Sequence, residues 1–105
     1  MSKSPTATDA MKTLREEAWI GDAVLELYAR SKVLAERGQQ DIAMKTRFTW
    51  NQFLSGVGEP TKVEAEIGRS YQAGGLEAGF SWIREHLEPL FHKQEAKRLR
   101  VGQKK

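Results

Sequence analysis

The sequence contains no cysteine, only three prolines and no apolar run long enough to cross a membrane. The absence of cysteine excludes disulfide bonds, thiolate catalysis and cysteine-ligated zinc or iron–sulfur sites. No segment alternates apolar and polar residues as a half-buried strand does, which argues against a sheet. The first residues lack the apolar core of a signal peptide, so we expect a cytoplasmic protein with no membrane partner.

The length and the charge distribution indicate one small soluble domain with a basic end. The chain has 105 residues, of which 39% are hydrophobic and 30% are charged, and its net charge is +3. Residues 93–105 hold six basic residues and one acidic residue. We therefore predict a single domain over residues 1–92, followed by a basic tail or helix extension over 93–105. Such a segment suits a polyanionic partner, although a solvated tail is the commoner explanation.

Apolar residues at helical spacing, interrupted by glycine and proline, predict an all-α domain of about four to six helices. The first segment begins after the Thr8–Asp9 cap candidates and runs to about Arg37, with Ile20, Val24 and Leu27 on its apolar face. The other segments run from about Asp41 to Gly56, from Pro60 to Gly74–Gly75, and from Leu76 past Pro89.

Two glycines lie where a helix does not favour them. Gly21 interrupts the strongest helical pattern of the chain, Gly68 interrupts the third segment, and each follows an isoleucine. A glycine inside a helix costs roughly 1 kcal/mol relative to alanine, so a compensating interaction is expected. The simplest one is a close crossing of the two helices, which would bring Asp22 near Glu64.

Two carboxylates that converge from different helices suit Mg²⁺, which prefers oxygen ligands and retains several waters. A cation held there could bind a phosphodiester and lower the pKa of an attacking water. Two structural alternatives stay open. Thr61 and Glu64 have the spacing of a capping box, and Asp22 could pair with a lysine or arginine of a neighbouring helix.

Two stretches of the chain resemble the ribonuclease III family. REEAWIGDAVLELYAR (15–30) is similar to the family's signature helix, and TKVEAEIGRSYQAGGLEA (61–78) to its second acidic motif and the turn after it. NQFLSGVG (51–58) is weakly similar to the intervening helix. The resemblance implies a helical endonuclease domain that hydrolyses double-stranded or structured RNA. It also implies Asp22 and Glu64 as catalytic and metal-binding residues for Mg²⁺, with Mn²⁺ as a possible substitute and no small-molecule cofactor.

The chain departs from the full-length family pattern at two positions and in one length. Ala18 stands where those proteins have a further Glu, and Thr61 where they have a further Asp; both replacements resemble the compact Mini-III subfamily. Asp22 and Glu64 are 42 positions apart, and the matching segment is longer in the family. A shortened middle segment is therefore expected.

The resemblance further implies a homodimer formed through the signature helix. Trp19, with Ile20 and Ala23 beside it, stands at the family's interface position; packing in the chain's own core is the alternative for Trp19. Glu26, one turn after Asp22, could orient a metal-bound water or could instead face Arg30 at i+4.

RNA affinity would have to come from basic side chains, because double-stranded RNA is recognised by its shape and backbone. If residues 90–104 are helical, Lys93, Lys97, Arg100 and Lys104 form a basic stripe; a frayed tail is the alternative. Lys45, Arg47 and Lys62 lie nearer the predicted site in sequence and are also candidates for RNA binding.

Three functions are compatible with these features. The first is a metal-dependent, homodimeric, Mini-III-like endoribonuclease. The second is a catalytically silent relative that serves as an RNA-binding or ribosome-associated dimer. The third, a helical scaffold unrelated to RNA, explains the apolar stripes but leaves the signature motif unexplained.

Overall fold

The computed structural model describes residues 7–103, which form five helices and contain no strand. The helices are α1 (Ala7–Arg37), α2 (Ile42–Thr49), α3 (Asn51–Leu54), α4 (Pro60–His86) and α5 (Glu88–Gln103). The predicted all-α class with four to six helices is confirmed. None of the described helices is both long enough and apolar enough to cross a membrane.

Two breaks in the helices have a visible backbone cause. Within α4, Gly75 has φ 80° and ψ −171°, a conformation that is essentially restricted to glycine. The helix therefore consists of two stretches that meet at Gly75, where the sequence predicted a break. Trp50, with φ −81° and ψ 157°, is extended and separates α2 from α3. The sequence predicted one segment over these two short helices.

The core is formed where α1 packs along α4, with α2, α3 and α5 closing its sides. The second stretch of α4 folds back on the first, since a Cβ atom at Gly79 would lie 3.5 Å from the Cβ of Tyr71 and 3.1 Å from Cγ1 of Val24. An aromatic cluster joins α1, α2, α3 and α5; its members are Tyr28, Phe48, Phe53 and Phe91.

Two charged groups attach α5 to this body in addition to its apolar residues. Nζ of Lys32, a nearly buried side chain, lies 2.7 Å from Oε1 of Glu88 and 2.8 Å from Oε1 of Glu36. Further along α5, Glu95 pairs with Arg47 of α2. Residues 93–103 continue α5 as one helix, and residues 104 and 105 lie outside the described part of the chain.

The molecule is elongated. Its principal extents are 65 × 25 × 20 Å and its radius of gyration is 15.9 Å, against about 13 Å for a compact domain of this length. One cause is α1, whose 31 residues span about 46 Å at the helical rise. The first turns of α1 are almost entirely exposed.

Candidate functional site

The helices α1 and α4 cross at Gly21 and Gly68, as the sequence predicted. Both glycines are buried. A Cβ atom added to Gly21 would overlap the carbonyl oxygen of Glu64, and one added to Gly68 would overlap the carbonyl oxygen of Glu17. The backbones are therefore in direct contact, and no larger residue fits at either position without separating the helices.

The crossing has an approximate local two-fold symmetry that is visible in the sequence. Residues 17–21 read EAWIG and residues 64–68 read EAEIG. In both pentads the alanine is buried, and each glycine lies against the backbone of the glutamate that opens the other pentad. The shared Ile-Gly pair was predicted to mark the crossing. The full pentad is visible in the sequence as a short internal match and was not predicted.

The symmetry pairs the residue after each glycine with the first glutamate of the opposite pentad. On one side, Arg69 binds Glu17 in a bidentate manner, with Nε 3.1 Å from Oε2 and Nη2 3.2 Å from Oε1. On the other side, the side chains of Asp22 and Glu64 lie close enough to share a hydrogen bond. One side of the crossing therefore carries opposite charges, whereas the equivalent positions on the other side carry two acids.

The acidic side is electrostatically unfavourable. Burial, the hydrogen bond to Asp22 and the negative charges of Asp22 and Glu59 raise the pKa of Glu64 to about 8. At neutral pH a protonated Glu64 can thus donate its proton to the Asp22 carboxylate. Neither acid forms an ion pair with a lysine or arginine among residues 7–103, so the expected alternative of a cationic partner for Asp22 is wrong.

The alternative of a capping box is also wrong. The N-cap of α4 is Glu59, whose carboxylate accepts from the backbone N–H groups of Thr61 at 3.2 Å and Lys62 at 3.0 Å. Pro60, which has no N–H, occupies the first helical position. The Glu64 side chain therefore has no capping role and contacts Asp22 instead.

The donor set fits a hard divalent cation that keeps most of its water. A divalent cation can replace the proton that two neighbouring carboxylates share, because its charge removes the repulsion between the two ionised groups. Within the described residues there is no group of three or more His, Cys, Asp or Glu side chains placed to hold a metal. Two carboxylates alone could hold Mg²⁺ only if water supplied most of its ligands, and they could not hold a cation that needs a complete protein cage.

Glu26 forms ion pairs with two cations. Its Oε2 lies 3.4 Å from Nε of Arg30, and its Oε1 lies 3.3 Å from Nζ of Lys45. The alternative in which Glu26 faces Arg30 is confirmed.

The six predicted RNA-binding residues divide into two groups. Lys45 pairs with Glu26, and Arg47 binds Glu95 through two hydrogen bonds of 2.9 and 3.0 Å. These two cations are thus neutralised within the protein, which counts against a direct RNA contact. The other four, which are Lys62, Lys93, Lys97 and Arg100, are exposed and form no ion pair in the described part of the chain. Lys104 lies outside the described residues.

The predicted interface residues differ in their surroundings. Trp19 is 78% exposed, so the alternative of core packing is wrong for this residue. Ala23 is also exposed. Ile20 is half-buried and packs against the core of its own chain, because it lies toward α4 on the α1 surface.

Comparison of the chain with family models, with curated proteins and with solved structures gives no match. The resemblance to the ribonuclease III family therefore stays a prediction from the two motifs.

Proposed function

We propose that this protein is a Mg²⁺-dependent endoribonuclease of ribonuclease III type that hydrolyses phosphodiester bonds in double-stranded or structured RNA as a homodimer. The observation that carries the proposal is the pairing of Asp22 with Glu64 beside a backbone-to-backbone crossing. The resemblance of the two motifs indicates the class of reaction. The geometry supports the proposal because it brings the two acidic residues together.

The opposite side of the crossing serves as an internal comparison. Arg69 and Asp22 occupy equivalent positions, and Arg69 satisfies Glu17 as a cation should. An arginine at position 22 would be placed to do the same for Glu64. The acid pair is thus less stable than an arrangement that the fold already contains, and polar arrangements of this kind are typical of functional sites.

In the proposed reaction, Asp22 and Glu64 would hold the cation, and the two helices fix the positions of these residues. When bound, the cation would supply an activated water and neutralise the charge that develops on the phosphate. Glu64 has to release its proton before it can bind a cation, whereas the charge of Glu59 adds to the negative potential that attracts one. Because the backbones of α1 and α4 are in direct contact at the crossing, the two positions that carry the carboxylates are set by the fold before substrate arrives.

A homodimer would present one such site to each strand of a duplex. One face of α1 carries four exposed apolar side chains, those of Trp19, Ala23, Leu27 and Leu34, whereas exposed Met11 lies outside this face. Association of two copies along this face would bury these side chains and would cover part of the exposed surface of α1. It is the surface that supports the proposed dimer.

A second candidate is the catalytically silent RNA-binding relative. Two observations favour it: no third carboxylate of the described residues is placed to hold a metal with the acid pair, and exposed cations that include Lys93, Lys97 and Arg100 form no ion pair there. Cleavage separates it from the endoribonuclease.

The experiment that tests the proposal is cleavage of a long double-stranded RNA with Mg²⁺ and with EDTA. The wild type is compared with Asp22→Asn, Glu64→Gln and, as a matched control, Glu77→Gln, an exposed carboxylate of the same helix. We expect metal-dependent cutting by the wild type and the control, and a loss of at least about 100-fold in the other two variants with unchanged helical content. Cutting by Glu64→Gln at the wild-type rate would contradict the site. No cutting by any folded form would favour the silent relative.

A further inference from the structure

The outer face of α5 carries three cations that the fold leaves unneutralised. Lys93, Lys97 and Arg100 are exposed and follow one another at i, i+4 and i+7, so they share one side of the helix. The opposite side carries buried Phe91 and the ion-paired Glu95. The three cations therefore point away from the body of the protein.

Three other cations near α5 have acidic partners. Arg47 and Arg98 share Glu95, at 2.9 and 3.2 Å, and Lys32 lies between Glu36 and Glu88. Lys93, Lys97 and Arg100 form no ion pair in the described part of the chain. The acids of this region thus neutralise the cations at the junction and leave the outer face positive.

We propose that the outer face of α5 is a phosphate-binding surface that holds the RNA backbone and is separate from the Asp22–Glu64 pair. The three side chains span about 10 Å along the helix, which allows them to contact successive phosphates of one strand. Contacts of this kind position a duplex without reading its sequence. The choice of RNA as the ligand rests on the proposed function, whereas the phosphate chemistry rests on the charges.

The apolar residues near the stripe do not suit a membrane surface. Leu99 and Val101 are both exposed, but a spacing of two residues puts them on nearly opposite sides of a helix. No continuous apolar face therefore lies beneath the cations, as a membrane-bound amphipathic helix requires.

This surface also gives Arg47 a different role from the predicted one. By binding Glu95, Arg47 fixes α5 against α2 and determines where the outer face points. It is a positioning residue for the phosphate-binding surface.

The test measures binding without cleavage. Full-length protein with Asp22→Asn, in EDTA, is titrated onto a fluorescent RNA duplex and onto a DNA duplex of the same length. The variant carries Lys93→Gln, Lys97→Gln and Arg100→Gln. The matched control carries Lys12→Gln, Arg30→Gln and Arg37→Gln, which removes the same charge from cations that already have acidic partners.

We expect the α5 variant to bind both duplexes at least about 10-fold more weakly at low salt, and the control to change affinity less than about 3-fold. If each outer cation neutralises one phosphate, raising the salt from about 50 to about 200 mM should weaken the parent protein about 40-fold more than the α5 variant. An equal salt slope in the two proteins, an equal loss of affinity in the control, or binding to phosphatidylglycerol vesicles but not to either duplex would overturn the proposal.

These binding measurements need no catalysis, so they remain valid if the protein proves inactive. A failure to bind would likewise leave the result of the cleavage experiment unchanged. Circular dichroism of each variant confirms that it is folded.

Discussion

At the scale of single residues, Asp22 and Arg69 are the most informative pair in the molecule. They follow the same pentad, face equivalent glutamates and carry opposite charges. Both sides have a buried alanine and a glycine in backbone contact, so a comparison of the two sides shows what the charge of this residue does. The proposed role in binding a cation would explain why one side keeps two acids.

Exchanging the charges at these positions should move stability in opposite directions. Asp22→Arg should raise the free energy of unfolding by about 1 kcal/mol, because the new cation can pair with half-exposed Glu64. Arg69→Asp should lower it by a similar amount, because a second acid pair replaces an ion pair. Urea unfolding at neutral pH without divalent cations measures both. Destabilisation by Asp22→Arg would show that the two sides are not equivalent.

The sequence predicted the meeting of Asp22 with Glu64 because a glycine inside each helix marks the contact point. It could not predict the partners of Lys45 and Arg47. Those partners, Glu26 and Glu95, lie 19 and 48 positions away, and no local pattern indicates which distant acid a surface cation meets. The capping role of Glu59 was missed because a capping box at Thr61 and Glu64 fitted the same residues.

At the scale of the elements, the fold depends on how closely α1 approaches α4. The helix pattern predicted both helices and the break at Gly75, since periodicity and glycine act locally. The division of α2 from α3 at Trp50 was not predictable, because a bulky aromatic residue in extended conformation leaves no breaker in the sequence. The tertiary packing of Phe48 and Phe53 decides it.

Alanine at either crossing glycine should destabilise the protein despite its better helix propensity. Gly21→Ala and Gly68→Ala would each push the backbones of α1 and α4 apart. Each substitution should lower the free energy of unfolding by about 1–3 kcal/mol. The double variant should lose less stability than the sum of the two single losses, because the first substitution already opens the crossing.

Gly58→Ala provides the control for this prediction, because its Cβ atom would lie 3.4 Å from Cγ2 of Val63. Thermal unfolding followed by circular dichroism compares the four variants. Wild-type stability in Gly21→Ala would contradict the close crossing.

At the scale of the whole molecule, the elongated shape and the exposed apolar face of α1 favour association of two copies. Trp19→Glu should convert the proposed dimer into a folded monomer, because a charge in a buried apolar interface is costly. Thr8→Glu, on the exposed first turns of α1, is the control. Sedimentation velocity gives the mass of each. A wild type that sediments as a monomer over the accessible concentration range would contradict the dimer.

The acid pair also links the stability of the whole molecule to pH. The pKa of Glu64 is about 8 in the folded protein against an ordinary 4.5. Between these values the native state holds a proton that the unfolded state releases, so the free energy of unfolding should fall as the pH rises through this window. A bound cation should remove this dependence by taking the place of the proton.

The most direct test of the account is therefore an NMR titration of the Glu64 side-chain carboxyl carbon, assigned with Glu64→Gln, in the absence and presence of Mg²⁺. We predict a midpoint near pH 8 without the cation and a clearly lower midpoint with it, and the loss of this shift in Asp22→Asn. A Glu64 that titrates at its ordinary value and does not respond to Mg²⁺ would contradict the claim that the crossing of α1 and α4 builds a metal site.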